Sequence, residues 1–340
     1  MALSGCGSDD PAMGPHGTDT NDTEAVPSAP FSAGASRTCE LVDGRVRVWG
    51  ANLEGWQPEP RWLDLDASGA VELSCQGLGG CVVDAGGGVQ CWDQDDGSTA
   101  VNVVAYDVSG AGGLSSAGGA ACMLADEGLV CSVTSAGSHF SGLGLGLVVV
   151  ESVVDPAAVD LGPFGGCAVD GAGDVWCFGE STLAQTGQVN ASVPPTRIVG
   201  LPPMHDVAVG NAMACAWTDT GAAWCWGKQV GNLEFLPPSE VLADGVVEMA
   251  VASIASPVSQ GYSWCALDAD GAARCGGPDE AERPDVSSIQ LTELQSGMDH
   301  MCGRGIQGGL WCWGWDVDAE NVPADRQWSA TPVDLLTWTD

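Results

Sequence analysis

Two cysteines ten residues apart frame a turn in the segment Gly210-Asn-Ala-Met-Ala-Cys-Ala-Trp-Thr-Asp-Thr-Gly-Ala-Ala-Trp-Cys-Trp-Gly227. Cys215 and Cys225 lie symmetrically about Thr220, and the residue after this midpoint is Gly221. This pattern predicts a β-hairpin with a three-residue loop, because the last loop residue must adopt a left-handed backbone that glycine tolerates. The two cysteines then face each other across antiparallel strands, at a separation that suits a disulfide.

The same pattern recurs along the chain. A leading cysteine appears seven times at steps of 37 to 50 residues, and six of the seven have a second cysteine nine or ten residues later. All five pairs spaced by ten have glycine directly after the midpoint, whereas Cys122 and Cys131 fit a four-residue loop that ends at Gly128. Zinc ligands usually come in pairs two to four residues apart, so we expect disulfides and no metal. The six predicted disulfides are Cys81–Cys91, Cys122–Cys131, Cys167–Cys177, Cys215–Cys225, Cys265–Cys275 and Cys302–Cys312.

The first unit departs from this pattern. Val48 takes the place of its second cysteine, and Asp43-Gly44 at the midpoint predicts a two-residue type I′ turn. Cys39 and Cys75 therefore lack hairpin partners. They either bond to each other, as a link between neighbouring units, or remain buried free thiols.

Tryptophan flanks the second cysteine position in most units, so both faces of that strand are apolar. Such hairpins must stack on one another, and units of about 44 residues with several short strands favour blades arranged around an axis. We therefore predict an all-β fold: a seven-bladed β-propeller with disulfide-stapled hairpins in the blades, over residues 31–340. Phe31–Gly34 and Pro332–Leu336 match the first and last strands of a unit, so the chain ends should meet and close the ring.

The repeats resemble those of the regulator of chromosome condensation family, and more closely its secreted bacterial members. The resemblance covers roughly residues 31–336 and rests on the segment 210–227 and on Gly297-Met-Asp-His-Met-Cys302 through Trp311-Cys-Trp-Gly314. It implies a seven-bladed propeller. The family's Gly-Gln-Leu-Gly loop survives only in degraded form, as Leu183-Ala-Gln-Thr-Gly187 and Val230-Gly-Asn-Leu233. The eukaryotic member exchanges nucleotide on a small GTPase and binds chromatin, and the charge and cysteines of this chain argue against both activities.

The charge excludes whole classes of partner. Against 45 Asp and Glu stand 10 Lys and Arg, giving a net charge of −35. Such a chain repels phosphate, so we expect no nucleic-acid binding. No nucleophile elbow, zinc-protease helix or phosphate loop is present, so we expect neither catalytic residues nor a cofactor. His300 and the aspartates at the hairpin turns are interpreted as structural hydrogen-bonding residues.

The N-terminal segment indicates export. Leu3-Ser4-Gly5-Cys6 resembles a bacterial lipobox, so we interpret residues 1–6 as the remnant of a lipoprotein signal and Cys6 as the lipidated residue. Residues 7–30 are rich in Asp, Thr, Ser, Pro and Gly, as a flexible tether is. No run of 18 apolar residues occurs. We predict a lipid-anchored monomer of the bacterial cell envelope or the extracellular space, with no membrane span.

Function should reside in the loops that depart from the repeat. Candidate partner-binding residues are tryptophans that do not flank a cysteine position and members of an insertion before Cys265: Trp56, Trp62, Ser253, Pro257, Tyr262, Trp315 and Trp328. The first hypothesis is a non-enzymatic scaffold that presents an acidic rim to a protein partner. One alternative is an inhibitor that docks rim loops on an extracellular enzyme, as a β-lactamase inhibitor of the same repeat family does. The other is a glycan-binding or hydrolytic propeller.

Overall fold

The structure is a computed structural model. It describes residues 29–34, 37–52, 55–77, 79–94, 100–133, 138–180, 193–211, 213–228, 235–252, 263–277, 285–298, 300–315 and 328–336. Cys6, the predicted tether up to residue 28 and the insertion residues Ser253, Pro257 and Tyr262 lie outside this part of the chain.

Twenty-seven strands form seven separate antiparallel sheets in the described residues, and each sheet is one blade. Blades one and two contain β1 (Phe31–Ala33), β2 (Arg37–Val42), β3 (Arg45–Asn52), β4 (Gly55–Trp62), β5 (Ala70–Gln76), β6 (Gly79–Asp84), β7 (Val89–Gln94) and β8 (Val101–Tyr106). Blades three and four contain β9 (Gly112–Ala117), β10 (Ala120–Ala125), β11 (Gly128–Val133), β12 (Gly146–Val149), β13 (Ala158–Leu161), β14 (Gly165–Val169), β15 (Val175–Gly179) and β16 (Val193–Arg197).

Blades five and six contain β17 (Asp206–Val209), β18 (Met213–Trp217), β19 (Ala223–Lys228), β20 (Phe235–Leu242), β21 (Glu248–Ala252), β22 (Ser263–Leu267) and β23 (Ala273–Gly276). Blade seven contains β24 (Leu291–Ser296), β25 (His300–Gly305), β26 (Leu310–Trp315) and β27 (Trp328–Asp334). A 3-10 helix, Ser141–Leu143, interrupts blade three. Six sheets have four strands, and blade six has three within the described residues. The predicted all-β, seven-bladed propeller is confirmed.

The hairpin geometry is as predicted. All six cysteine pairs are directly opposed in the strand register and form disulfides with Cα atoms 4.0–4.1 Å apart. Gly221 and its four counterparts have φ between 78° and 87°, and Asp43 and Gly44 both have positive φ, as a type I′ turn requires. The loop predicted for the Cys122 hairpin was wrong. Pairing continues to Ala125 and Gly128, so the loop has two residues rather than four.

Aspartates stabilise these turns. A carboxylate oxygen of Asp84 accepts backbone N–H groups of Gly86 and Gly88, and Asp268 accepts those of Asp270 and Ala272 in the same way. Asp84 and Asp268 therefore have the structural role predicted for the turn aspartates, because they satisfy N–H groups that the tight loop leaves unpaired.

The two remaining cysteines of the described residues settle the alternative left open by the sequence. Cys39 on β2 and Cys75 on β5 form a disulfide with Cα atoms 6.3 Å apart. Both are buried. Unlike the other six disulfides, this one joins two neighbouring blades.

The ring closes through side chains of the first and last blades. Phe31 and Trp49 of blade one pack with Leu310 and Leu335 of blade seven. His300 lies in this seam and its Nε2 is 3.0 Å from Thr38 Oγ1.

An ionic network crosses the same seam. Arg304 of blade seven donates to Glu40 of blade one at 2.7 Å, and Glu40 also accepts from Arg47 Nε at 2.7 Å. Arg304 and Glu40 are buried, so each charge needs the other to offset its lost hydration.

Candidate functional site

Strand direction divides the surface into two rims. The turns between the second and third strands of each blade share one rim with the connections from one blade to the next. We call this the acidic rim, because its exposed carboxylates are numerous. They are Asp43, Asp64, Asp66, Asp107, Asp126, Glu127, Glu151, Asp155, Asp219, Asp244, Asp270 and Asp285.

Few cations balance these charges. Arg45, Arg197, Arg274 and His205 are exposed at this rim. Arg197 pairs with Asp174, and His205 Nδ1 is 2.8 Å from Asp219. The described part of the acidic rim is therefore strongly negative, and it attracts basic surfaces over several ångströms of solvent.

One stretch of the acidic rim combines carboxylates with apolar surface. A groove of about 570 Å³ lies beside blade three and is lined by Glu127, Glu151, Val149 and Val154, among others. Val154 is 63% exposed and Val149 is 44% exposed. Exposed apolar side chains bordered by polar ones occur at protein contacts.

The innermost strands enclose a central cavity of about 560 Å³, which we call the funnel. Its lining includes residues from the innermost strand of all seven blades. At the end away from the acidic rim, the free space shrinks to about 50 Å³. Glycine permits this narrowing: a β-carbon on Gly162 would lie 2.4 Å from the carbonyl oxygen of Gly210 in the next blade. The funnel is therefore wide at the acidic rim and constricted at the far end.

Polar side chains halfway along the funnel hold neighbouring blades together. The hydroxyl oxygen of Ser32 accepts a hydrogen bond from the backbone N–H of Cys75 in the next blade. The hydroxyl oxygen of Ser74 accepts one from Ser116 in the same way, and that of Ser115 accepts one from Leu161. Asp160 takes the same position in blade four and accepts the N–H of Val209 at 2.6 Å. These residues provide hydrogen-bond acceptors for backbone N–H groups at the edges of the innermost strands, so their role is structural.

Four further carboxylates lie nearer the acidic rim, on Glu72, Asp206, Glu248 and Glu293. Glu72 accepts the N–H of Leu114 at 2.9 Å and so also bridges two blades. The other three belong to the consecutive blades five, six and seven.

The pKa values of Asp206, Glu248 and Glu293 are raised. Burial raises the pKa of Glu248 to about 8. A hydrogen bond from the backbone of Leu294 in the next blade opposes this shift, and the nearby carboxylates of Glu293 and Asp206 add to it. Burial raises the pKa of Glu293 to about 7, although Arg304 opposes the shift, and it raises the pKa of Asp206. The pKa of Asp160 is likewise raised by burial, to about 7. The funnel thus holds carboxyl groups that a cation can ionise and stabilise near neutral pH.

The structure separates the residues predicted to bind a partner. Trp62 ends β4 on the acidic rim, where it is 36% exposed and lies under the Arg45 guanidinium, 4.5 Å from the ring centroid. The backbone of Trp56 pairs with Ala51 at the opposite rim.

Trp315 and Trp328 pair with each other, also at the opposite rim. The side chains of these two residues and of Trp56 lie outside what the structure describes. Trp62 is thus on a different rim from the other three candidate tryptophans.

Sequence reasoning missed the funnel carboxylates. Glu72, Asp206 and Glu293 each stand nine residues before the leading cysteine of their hairpin, and this repeated spacing was available as a signal. Glu248 does not have this spacing, because the insertion lengthens the chain between it and Cys265.

Among the described residues, no group of three or more His, Cys, Asp or Glu side chains is arranged to hold a metal ion. In the same ranges, no helix has the length and apolar character needed to cross a membrane. Seven disulfides indicate an oxidising location, outside the cell or in its envelope.

No model of a known protein family matches the chain, and no curated protein sequence matches it. Solved structures with a similar fold include human WBSCR16, at 15% identity and a TM-score of 0.54, covering 91% of this chain and 81% of that one. Yeast RCC1 (Prp20), solved bound to Kap60, has 14% identity and a TM-score of 0.53, with 90% and 74% covered. The ectodomain of the Physcomitrella patens receptor kinase CR4 has 18% identity and a TM-score of 0.55, with 87% and 76% covered. At these identities the likeness concerns the fold.

Proposed function

We propose that this chain is a non-enzymatic scaffold, anchored to the cell envelope, that binds a protein partner through its acidic rim. The observation that carries the proposal is the concentration of exposed carboxylates on one rim with few cations among them. Such a surface speeds encounter with a basic partner and repels acidic competitors. The fold likeness to yeast RCC1, which was solved in complex with Kap60, is consistent with protein binding.

The groove beside blade three adds exposed apolar side chains to the charged rim. Desolvation of Val149 and Val154 would favour a stable complex, because long-range charge mainly raises the association rate. We therefore place the contact on the acidic rim around this groove, with a partner that presents basic residues around an apolar patch. Anchoring through a lipid on Cys6 is part of the proposal and is tested by intact-mass analysis of the envelope-extracted chain.

The binding test uses two matched variants of the full chain. One carries Glu127→Gln and Glu151→Gln at the groove. The other carries Asp93→Asn and Glu240→Gln, which neutralise two exposed carboxylates remote from the groove, one at the opposite rim of blade two and one on the outermost strand of blade five. Each variant is immobilised and exposed to envelope extract of the native organism, and retained proteins are quantified by mass spectrometry.

We expect a basic protein to be retained by the unmodified chain and by the control variant, and to fall at least fivefold with the groove variant. Raising the salt concentration should weaken its association rate. Equal losses for both variants, or retention that survives both, would refute binding through the acidic rim.

A further inference from the structure

Six blades have an outermost fourth strand, and the far edge of that strand pairs with no other strand of the described residues. Such an edge can pair with any extended chain, and proteins protect it with proline, charged side chains and β-bulges. Four of the six strands have all three kinds of protection. Each contains proline and a charged residue, and each has a register shift against the strand before it: β4, β16, β20 and β27.

The outermost strands of blades two and three have none of these protections. β8 and β12 contain neither proline nor a charged residue, and each pairs with the preceding strand in unbroken register. Their exposed side chains are largely apolar, with Val104 52% exposed and Leu147 46% exposed. Two adjacent blades therefore retain regular, uncharged edges that can accept a further strand.

The exposed apolar side chains of β8 and β12 face one gap, between blades two and three. Across this gap, Ser132 Oγ of β11 donates a hydrogen bond to Tyr106 Oη of β8 at 2.7 Å. Val104 lies two residues before Tyr106, and Leu147 is directly opposite Ser132, so both side chains are on the sides of their strands that face the gap. Val149 shares the side of Leu147. A strand added to β12 would place alternate side chains beside these two residues.

The backbone of β12 has hydrogen-bonding groups at its free edge. The N–H of Val150 donates to the carbonyl oxygen of Leu129 at 2.8 Å. Because hydrogen-bonded and non-hydrogen-bonded residues alternate in an antiparallel pair, Val148 also directs its polar backbone groups towards β11. Those of Leu147 and Val149 point away from β11. These two residues therefore offer N–H donors and carbonyl acceptors to an added strand.

The charge beside β12 indicates what kind of strand fits. Val149 lines the groove of the acidic rim together with Glu127 and Glu151, and no residue of β8 does so. A segment whose apolar part pairs with β12 would bring basic residues at one of its ends beside these carboxylates. A second copy of the chain lacks this complementarity, because each copy has a net charge of −35.

We propose that the free edge of β12 binds an extended segment of the basic protein partner as an added antiparallel strand. The inference rests on the proposed function, because it describes how that partner is held. Apolar side chains of the segment lie beside Leu147 and Val149, and the basic residues that precede them lie beside Glu127 and Glu151. Main-chain hydrogen bonds provide affinity, and the side chains provide specificity.

The test is calorimetric titration of the full chain with acetyl-Lys-Arg-Val-Thr-Val-Thr-Val-amide at low ionic strength. In the proposed register two valines are opposite Leu147 and Val149, so the valine N–H groups point towards β12 and the threonine N–H groups point to solvent. N-methylation of the valine nitrogens should weaken binding at least tenfold, and N-methylation of the threonine nitrogens less than threefold. Equal effects, or no measurable binding of the unmodified peptide, would overturn the proposal.

Variants of the chain locate the site. Val149→Pro removes an N–H that points away from β11, so the pairing with β11 is kept. This variant should weaken the unmodified peptide at least tenfold, whereas Val149→Ala, which keeps the N–H but shortens the side chain, should weaken it less than threefold. Glu127→Gln with Glu151→Gln should weaken it about threefold. Unchanged affinity in Val149→Pro would contradict strand addition at β12.

Near-ultraviolet circular dichroism shows whether each variant is folded. The methylated peptides examine the same hydrogen bonds on the unmodified chain, so they decide the proposal even if Val149→Pro does not fold. Sedimentation equilibrium without peptide examines a second copy as the occupant. We expect a monomer, and a concentration-dependent dimer that Val149→Pro abolishes would assign the edge to self-association instead.

The two proposals fail separately. If groove substitutions abolish retention of the partner from the extract while Val149→Pro retains it fully, the acidic rim remains the contact and only strand addition is wrong. If the peptides behave as expected and groove substitutions leave retention unchanged, the partner contact at the groove is wrong, although β12 still accepts a strand.

Discussion

Replacing Cys39 and Cys75 by alanine should lower the free energy of unfolding by about 4 kcal/mol. Their disulfide closes a loop with a sequence separation of 36 residues. The chain-entropy relation assigns about 4 kcal/mol to a loop of that length, because the cross-link restricts the unfolded chain. The hairpin disulfide between Cys122 and Cys131 has a separation of 9 residues, for which the relation gives about 3 kcal/mol.

The hairpin pair is a matched control, because all four cysteines are at least 98% buried and each double variant deletes two buried sulfurs. The packing losses therefore cancel to first order. Guanidinium unfolding, followed by tryptophan fluorescence, gives the free energy of each variant. We expect the variant lacking the link between blades to be less stable by about 1 kcal/mol. Equal stability, or a greater loss in the hairpin variant, would refute the claim that the longer loop contributes more.

Three other perturbations follow from the funnel and the seam. The raised pKa of Glu248 means that the folded chain binds more protons than the unfolded chain, so the contribution of this group to stability is present at pH 4 and is lost as the pH rises towards 8. Glu248→Gln should reduce the loss of unfolding free energy measured between pH 5 and 8.5 by about 4 kcal/mol, and an unchanged pH dependence would contradict the raised pKa. Gly162→Ala should destabilise the chain by about 1 to 3 kcal/mol in the same assay, and an unchanged midpoint would show that the blades are not in close contact there. Arg304→Met should lower the free energy of unfolding by about 3 kcal/mol, because Glu40 then loses a buried partner. Arg197→Met, which removes an exposed ion pair, should lower it by less than about 1 kcal/mol, and similar losses in the two variants would contradict the role of the seam.

The hairpins were predictable because their determinants are local. Gly221 and its counterparts, together with the opposed cysteines, specify turn type and register within about ten residues of chain. The loop between Ala125 and Gly128 was mispredicted because a spacing of nine fits more than one loop length, and only the observed pairing distinguishes them.

Features that depend on the closed ring were harder to predict. Cys39 and Cys75 belong to different blades, so no local spacing indicates their bond. Glu248, Glu293 and Asp206 come together only because the ring brings the innermost strands of three blades to one axis. Their positions along the sequence do not show that their carboxylates share a cavity.

The point where the chain enters the ring constrains how an anchored molecule would be oriented. Pro30 lines the funnel and Ala29 accepts a hydrogen bond from Arg304, so whatever precedes them attaches on the acidic rim. If residues 7–30 form the flexible tether predicted from their composition, the average reach of the tether is about 25–30 Å, roughly the diameter of a small domain. If Cys6 carries a lipid, a partner would have to approach sideways into a gap of that width between ring and bilayer. Large assemblies would then meet only the opposite rim.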